Sequence, residues 1–112
     1  MKQRIDETKE QYGIPKEFLE KIIAAIKTNN NIKEIILFGS RAKGNFKTGS
    51  DVDIALVSND ISYDEISHIR TNIDELLLPY NVDIIDYNKI TNNALKEHIL
   101  KVGQVIHTVN SK

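Results

Sequence analysis

Cysteine is absent from the 112 residues. That excludes a disulfide framework and a thiolate zinc site, and it makes a reducing compartment, the cytoplasm, the expected setting. No apolar run approaches the ~20 residues that span a bilayer, and Met1 to Glu10 is too polar for a signal peptide, so membrane and export roles are set aside. An excess of positive charge is also missing: 15 Lys and Arg stand against 16 Asp and Glu, a formal net charge of −1. No broad nucleic-acid surface is therefore expected, and any phosphate binding must be local. Internal repeats, linkers and low-complexity tracts are lacking too. The length predicts a single domain, residues 1–112, with one ordinary core.

What is present reads as alternating helices and strands. From Pro15 to Thr28, Phe18, Leu19, Ile22, Ile23 and Ile26 recur at three- and four-residue steps behind a proline suited to a first helical turn. This predicts an amphipathic helix, ended by the Asn29-Asn30-Asn31 cluster. Glu34 to Phe38 is a β-branched and aromatic run before Gly39, a buried strand. Ser40 to Ser50 carries Gly44 and Gly49 with almost no apolar periodicity and predicts a loop, with room for a single helical turn at its start. Val52 to Val57 predicts a second buried strand, and Ser58-Asn59-Asp60 a turn. Ser62 and Glu65 form a capping-box pattern, and Ile66, Ile69, Ile73, Leu76 and Leu77 continue a helical stripe until Pro79 stops it. That stripe is either core or a partner surface. Val82 to Tyr87 is a third strand, Asn92 to Val102 a helix ending at Gly103, and Gln104 to Val109 a short β-branched tail. The expected class is α/β (α+β): a small mixed β-sheet with helices packed against it.

The chemistry is concentrated between Phe38 and Leu56. Gly39 at a strand end lets backbone approach a ligand with no Cβ in the way, and Ser40 adds a hydroxyl where a helical turn can begin, a corner suited to phosphate oxygens. Arg41 and Lys43 bring positive charge to the same turn, either to contact phosphate or to point into solvent. Asp51 and Asp53 are two apart on an expected strand, so alternation sends both carboxylates to one face and Val52 and Ile54 to the other. Two like charges side by side on an apolar strand call for a cation or donor, and hard carboxylate oxygens suit magnesium or manganese. Asp83, between Val82 and Ile84, completes such a cluster or takes a proton from an acceptor hydroxyl if its strand lies beside Val52 to Val57. Asp86 should face the opposite way, as a surface residue. His68, His98 and His107 are widely separated, with no ligand partner at helical spacing, and are read as surface or packing residues. Tyr80 and Tyr87 are read as packing at the ends of the third strand.

Gly39-Ser40, ten intervening residues, then Asp51-x-Asp53 with a later strand-borne Asp83 resembles the DNA polymerase β-type nucleotidyltransferase superfamily. The Gly39-Ser40-Arg41-Ala42-Lys43-Gly44 run, the Ser50-Asp51-Val52-Asp53 step and the Pro79 to Tyr87 segment are similar to its minimal nucleotidyltransferases, the MNT proteins, from about the first helix to Gly103. Lys43 departs from the family's more frequent arginine. The resemblance implies the polymerase β-type fold and a Gly39-Ser40 turn that binds the triphosphate of ATP. It also implies two Mg2+ ions, with Mn2+ as the alternative, held by Asp51 and Asp53, and Asp83 acting with them.

Nothing in so short a chain is left over for an acceptor-binding domain, so the acceptor is expected in trans. The resemblance implies a HEPN-type helical partner, with this chain as the antitoxin that moves AMP onto a tyrosine of that partner; an oligomer is also possible. The alternatives are a docking subunit that leaves the site unused, and transfer to a small molecule such as an aminoglycoside.

Overall fold

The computed structural model describes residues 11–109; the first ten, for which the sequence leaves helix and loose chain both open, lie outside them. Pro15 caps the first helix, α1 (Lys16–Ile26), because its fixed φ, here −55°, suits the step into a helix. Leu19, Ile22 and Ile26 form the buried stripe of α1, and the Asn29 side chain closes the exit by accepting from the Asn31 amide at 2.8 Å.

Strand β1 (Ile32–Phe38) starts two residues earlier than the β-branched run suggested. A single helical turn, α2 (Ser40–Lys43), follows, and then β2 (Val52–Ser58), α3 (Tyr63–Asp74) and β3 (Val82–Asp86). After a 3-10 turn at Tyr87–Lys89 come α4 (Asn93–Val102) and β4 (Gln104–Thr108). The sheet order is β3-β2-β1-β4. β1 runs antiparallel to β2 and β4, whereas β2 and β3 are parallel, joined by α3 as the crossover. The sheet is thus mixed, as expected.

Because β1 and β2 are central, both of their faces are apolar. Ile35, Leu37, Val52, Ile54, Leu56 and Ile84 pack with α1 and α3, while Ile36, Phe38 and Ala55 pack beneath Ile99 of α4. The capping box is formed: the Glu65 amide donates to Ser62 Oγ at 3.1 Å, and the Ser62 amide to Glu65 Oε1 at 2.8 Å. Asn92 caps α4 in turn, accepting from the Leu95 amide at 3.0 Å. Among the described residues, no helix is long and apolar enough to cross a membrane.

Two details differ from expectation, the end of α3 and the place of Asp86. The helix α3 stops at Asp74, although Leu76 and Leu77 extend its apolar stripe. Tight bonds from Leu76 N to Ile73 O (3.0 Å) and Leu77 N to Asp74 O (3.1 Å) wind up the last turn, and Leu77, at φ 54°, leaves the helix 87% exposed. Leu78 packs on the core in its place. Gly103 ends α4 as expected, in an extended conformation; it is glycine because a Cβ there would run into Ile99 O and lie 2.7 Å from Ile36 Cγ2. Asp86 is no surface residue: its side chain is 9% exposed and accepts from the Asn88 amide at 3.0 Å, capping the 3-10 turn.

Candidate active site

Gly39 leaves β1 with φ 79° and ψ −159°, a conformation for glycine alone. A Cβ at this position would collide with Asp53 Oδ2 and lie 3.2 Å from its Cγ. The glycine is therefore what allows the Asp53 carboxylate to sit against the turn. The register agrees, since Asp53 is the cross-strand partner of Phe38, one residue before Gly39. The next residue, Ser40, opens α2, whose bonds from Lys43 N to Gly39 O (3.0 Å) and Gly44 N to Ser40 O (2.9 Å) shape the turn.

Asp53 and Asp83 are direct partners across the parallel pair β2/β3, so both carboxylates fall on the sheet face that carries Ala55 and α4. Asp51 precedes β2 by one residue and is exposed, as is Asp83, while Asp53 is half-buried. Burial, and then the negative charges of Asp83 and Asp51, push the Asp53 carboxyl above its ordinary range, with His98 pulling the other way. Among the described residues, no three His, Asp or Glu side chains are gathered as a ready metal cage. The donor set nevertheless fits a divalent ion. Its members are hard oxygen ligands, and Asp53 carries the repulsion of both neighbours against the pull of His98. Asp51 and Asp53, with Asp83 opposite, are the residues that could hold one.

The two cations of the turn part company. Arg41 is 2% exposed. Its Nε and Nη2 donate to Ser50 O at 3.2 and 2.9 Å, and Nη1 donates to Tyr12 O at 2.9 Å. The guanidinium lies over the rings of Phe46 and Tyr80, 5.2 and 5.0 Å from their centroids. Neither phosphate contact nor open solvent describes it: Arg41 braces the chain before α1, the loop before Asp51 and the entry to β3. Lys43 is exposed at the end of α2. Tyr80 packs edge-on against Phe18 with ring centroids 6.2 Å apart, and Tyr87 lies under the Lys96 ammonium; both tyrosines do pack at the ends of β3.

One residue of this corner was missed from the sequence. His98 Nε2 accepts from the Gly39 amide at 3.3 Å, and its ring meets Phe38 edge-on at 6.1 Å. No spacing pairs a histidine on α4 with a glycine 59 residues away; its place beside Ile99 on the buried side of the helix was the single available hint. His68 is exposed on α3, and His107 lies on β4 opposite Ile35.

Comparison with known proteins bears on what such a corner does. Residues 20–112 match the polymerase beta nucleotidyltransferase family. A Methanocaldococcus jannaschii protein whose name gives it an inferred protein adenylyltransferase activity is 34% identical over 98 residues, covering 80% of this chain and 94% of that one. A Haemophilus influenzae protein named MntA, with the same inferred activity, is 36% identical over 70 residues, 62% of this chain and 60% of its own. Among solved structures, a toxin-antitoxin complex with AMP-PNP superposes with a TM-score of 0.68 at 24% identity, covering 80% of this chain and 73% of the other. The complex of tri-AMPylated Shewanella oneidensis HEPN toxin with MNT antitoxin gives 0.64 at 20% identity, covering 83% and 71%. At these identities the superpositions establish a shared fold.

Proposed function

This chain belongs to the polymerase β nucleotidyltransferase family, and from that premise we propose that it moves AMP from ATP to a tyrosine hydroxyl of a HEPN-type partner, as the antitoxin of a pair. The observation that carries the reading is the register pair Asp53 and Asp83, with Asp53 seated against Gly39 so that carboxylates and the Ser40 turn share one corner. Relatives named for protein adenylyl transfer support AMP as the group moved. The AMPylated toxin in a complex of like fold supports a HEPN protein as the acceptor.

In this reading the Ser40 hydroxyl and the turn behind it hold the triphosphate. The acceptor oxygen attacks the α-phosphorus, the bond from that phosphorus to the β-phosphate oxygen breaks, and the electron pair leaves with pyrophosphate. Asp83, exposed on β3, takes the hydroxyl proton. Asp51 and Asp53 would hold magnesium or manganese. An ion bound there would supply charge neutralisation at the triphosphate and would lower the pKa of the acceptor hydroxyl. The remainder is positioning, done by the strands and by Gly39.

The test is Asp53→Asn, with labelled ATP and the co-expressed partner, reading AMP on the partner by mass spectrometry. Transfer is expected to fall by more than about a hundredfold, since even outer-shell changes at metal sites cost 10- to 100-fold; undiminished transfer would sink the mechanism. The docking reading is favoured by exposed Leu100 (72%) and Val105 (54%). Under that reading an Asp51→Asn, Asp53→Asn double variant keeps its protective effect on cells, whereas under ours it does not.

A further inference from the structure

We propose that His98 is a positioning residue for the nucleotide turn: from α4 it fixes the Phe38–Gly39 peptide so that the turn stays against Asp53. This rests on the nucleotidyl-transfer reading of the same corner. Gly39 must lack a side chain, because a Cβ would enter the Asp53 carboxylate. The same absence makes it the least restrained residue of the turn, so the turn needs ties from outside the glycine. Two exist. The Gly39 carbonyl accepts from Lys43 N at 3.0 Å, which is local to α2. The Gly39 amide donates to His98 Nε2, which is not local at all.

The imidazole is itself held. Its ring meets Phe38 at an interplanar angle of 81°, its neighbour Ile99 is 2% exposed, and α4 is capped by Asn92. To accept from Gly39, Nε2 must present its lone pair, so this bond requires the tautomer with the ring proton on Nδ1. The Gly39 amide is thereby already engaged, which leaves the Ser40 hydroxyl and the first amides of α2 as the donors of the turn that can face phosphate. Without the histidine bond, the peptide is free to rotate about a glycine that resists nothing, carrying the turn away from the Asp53 carboxylate. The effect of His98 is therefore on nucleotide binding, through geometry, rather than on the proton that leaves the acceptor.

The experiment compares His98→Phe, which keeps a ring against Phe38 but removes the acceptor, with His98→Gln, whose amide oxygen reaches about as far as Nε2. ATP affinity is measured by calorimetry with magnesium, and the Gly39 amide resonance is recorded without nucleotide. Loss of one bond predicts an ATP Kd about five- to tenfold weaker in His98→Phe, a displaced Gly39 resonance, and recovery of both in His98→Gln. An unchanged Kd or an unmoved resonance in His98→Phe overturns the proposal. So does AMP transfer that is lost equally in both variants while ATP affinity is kept, the signature of a proton acceptor. A wild-type chain that binds ATP but moves no AMP overturns the transfer reading instead, and the affinity comparison still decides this one.

Discussion

The two ends of β3 each carry an aspartate, and the fold treats them oppositely. Asp83, at the start of the strand, stands opposite Asp53. Asp86, three rungs further along, stands opposite Leu56. Its carboxylate accepts from the Asn88 amide at 3.0 Å and lies 3.5 Å from Lys89 Nζ. One end presents carboxylates to carboxylates; the other satisfies its carboxylate with a backbone donor and a lysine. A buried or half-buried negative charge is costly unless compensated: Asp86 is answered by its own loop, whereas half-buried Asp53 faces the charges of Asp83 and Asp51 and, under the proposed function, is answered by a metal ion. The largest expected effect follows from that contrast. Asp53→Asn and Asp86→Asn make the same chemical change, yet AMP transfer should fall by more than about a hundredfold in the first and stay within about twofold in the second. Equal losses, read by labelled transfer to the partner, would break the comparison.

Arg41 and Lys43 repeat the contrast with cations. If Arg41 holds the loop before Asp51 in place, Arg41→Met should lower stability by about 3 kcal/mol, as expected for losing charge-assisted bonds to two carbonyls, and Tm by on the order of 15 °C. Lys43→Met should leave stability within about 0.5 kcal/mol. Thermal melts of the two variants check this; a stable Arg41→Met chain would mean that the guanidinium is not a brace.

These pairs also mark how far the sequence could be read. Alternation along Val52 to Leu56 and the glycine before Ser40 are properties of neighbouring residues, so the shared face of Asp53 and the turn at Gly39 were within reach. Asp83 needed one further assumption, that β3 lies beside β2, which the parallel crossover through α3 satisfies. What could not be read depends on where a long side chain finds its partner. The Arg41 guanidinium turns inward because Tyr12 O and Ser50 O converge there, and His98 matters because α4 folds back over Phe38. The early end of α3 is of the same kind. Leu76 and Leu77 fit the helical stripe, but the stripe records apolarity and not the φ of 54° at Leu77, which the chain takes in turning back towards β3.

The stability cost of neutralising Asp86 should be smaller than that of Arg41. Asparagine at 86 can still accept from the Asn88 amide, so only the charge-assisted part of the bond and the lysine contact are lost, about 1 kcal/mol. Chemical denaturation of Asp86→Asn checks this; a loss above about 3 kcal/mol would show Asp86 to be a buried charge rather than a cap.

The smallest effect has the opposite sign. Asp53 is held above its ordinary range by burial and then by Asp83 and Asp51, so the folded chain binds that proton more tightly than the unfolded one. Its contribution to stability is present in acid and is lost as pH rises through the raised value. Glu65 runs the other way. The Ser62 amide first, and then Asn29, hold it below its ordinary range, so its contribution is present at neutral pH and is lost as pH falls through the lowered value. Metal-free Asp53→Asn should therefore melt slightly above the wild type near neutral pH, with the gap closing in acid, where Asp53 is protonated in both states. Added magnesium should reverse the order, because an ion bound only to the folded state stabilises it by mass action, and the variant lacks one of its ligands. If the wild type instead melts higher in metal-free buffer, Asp53 is already satisfied within the chain, as Asp86 is, and the contrast between the two ends of β3 is lost.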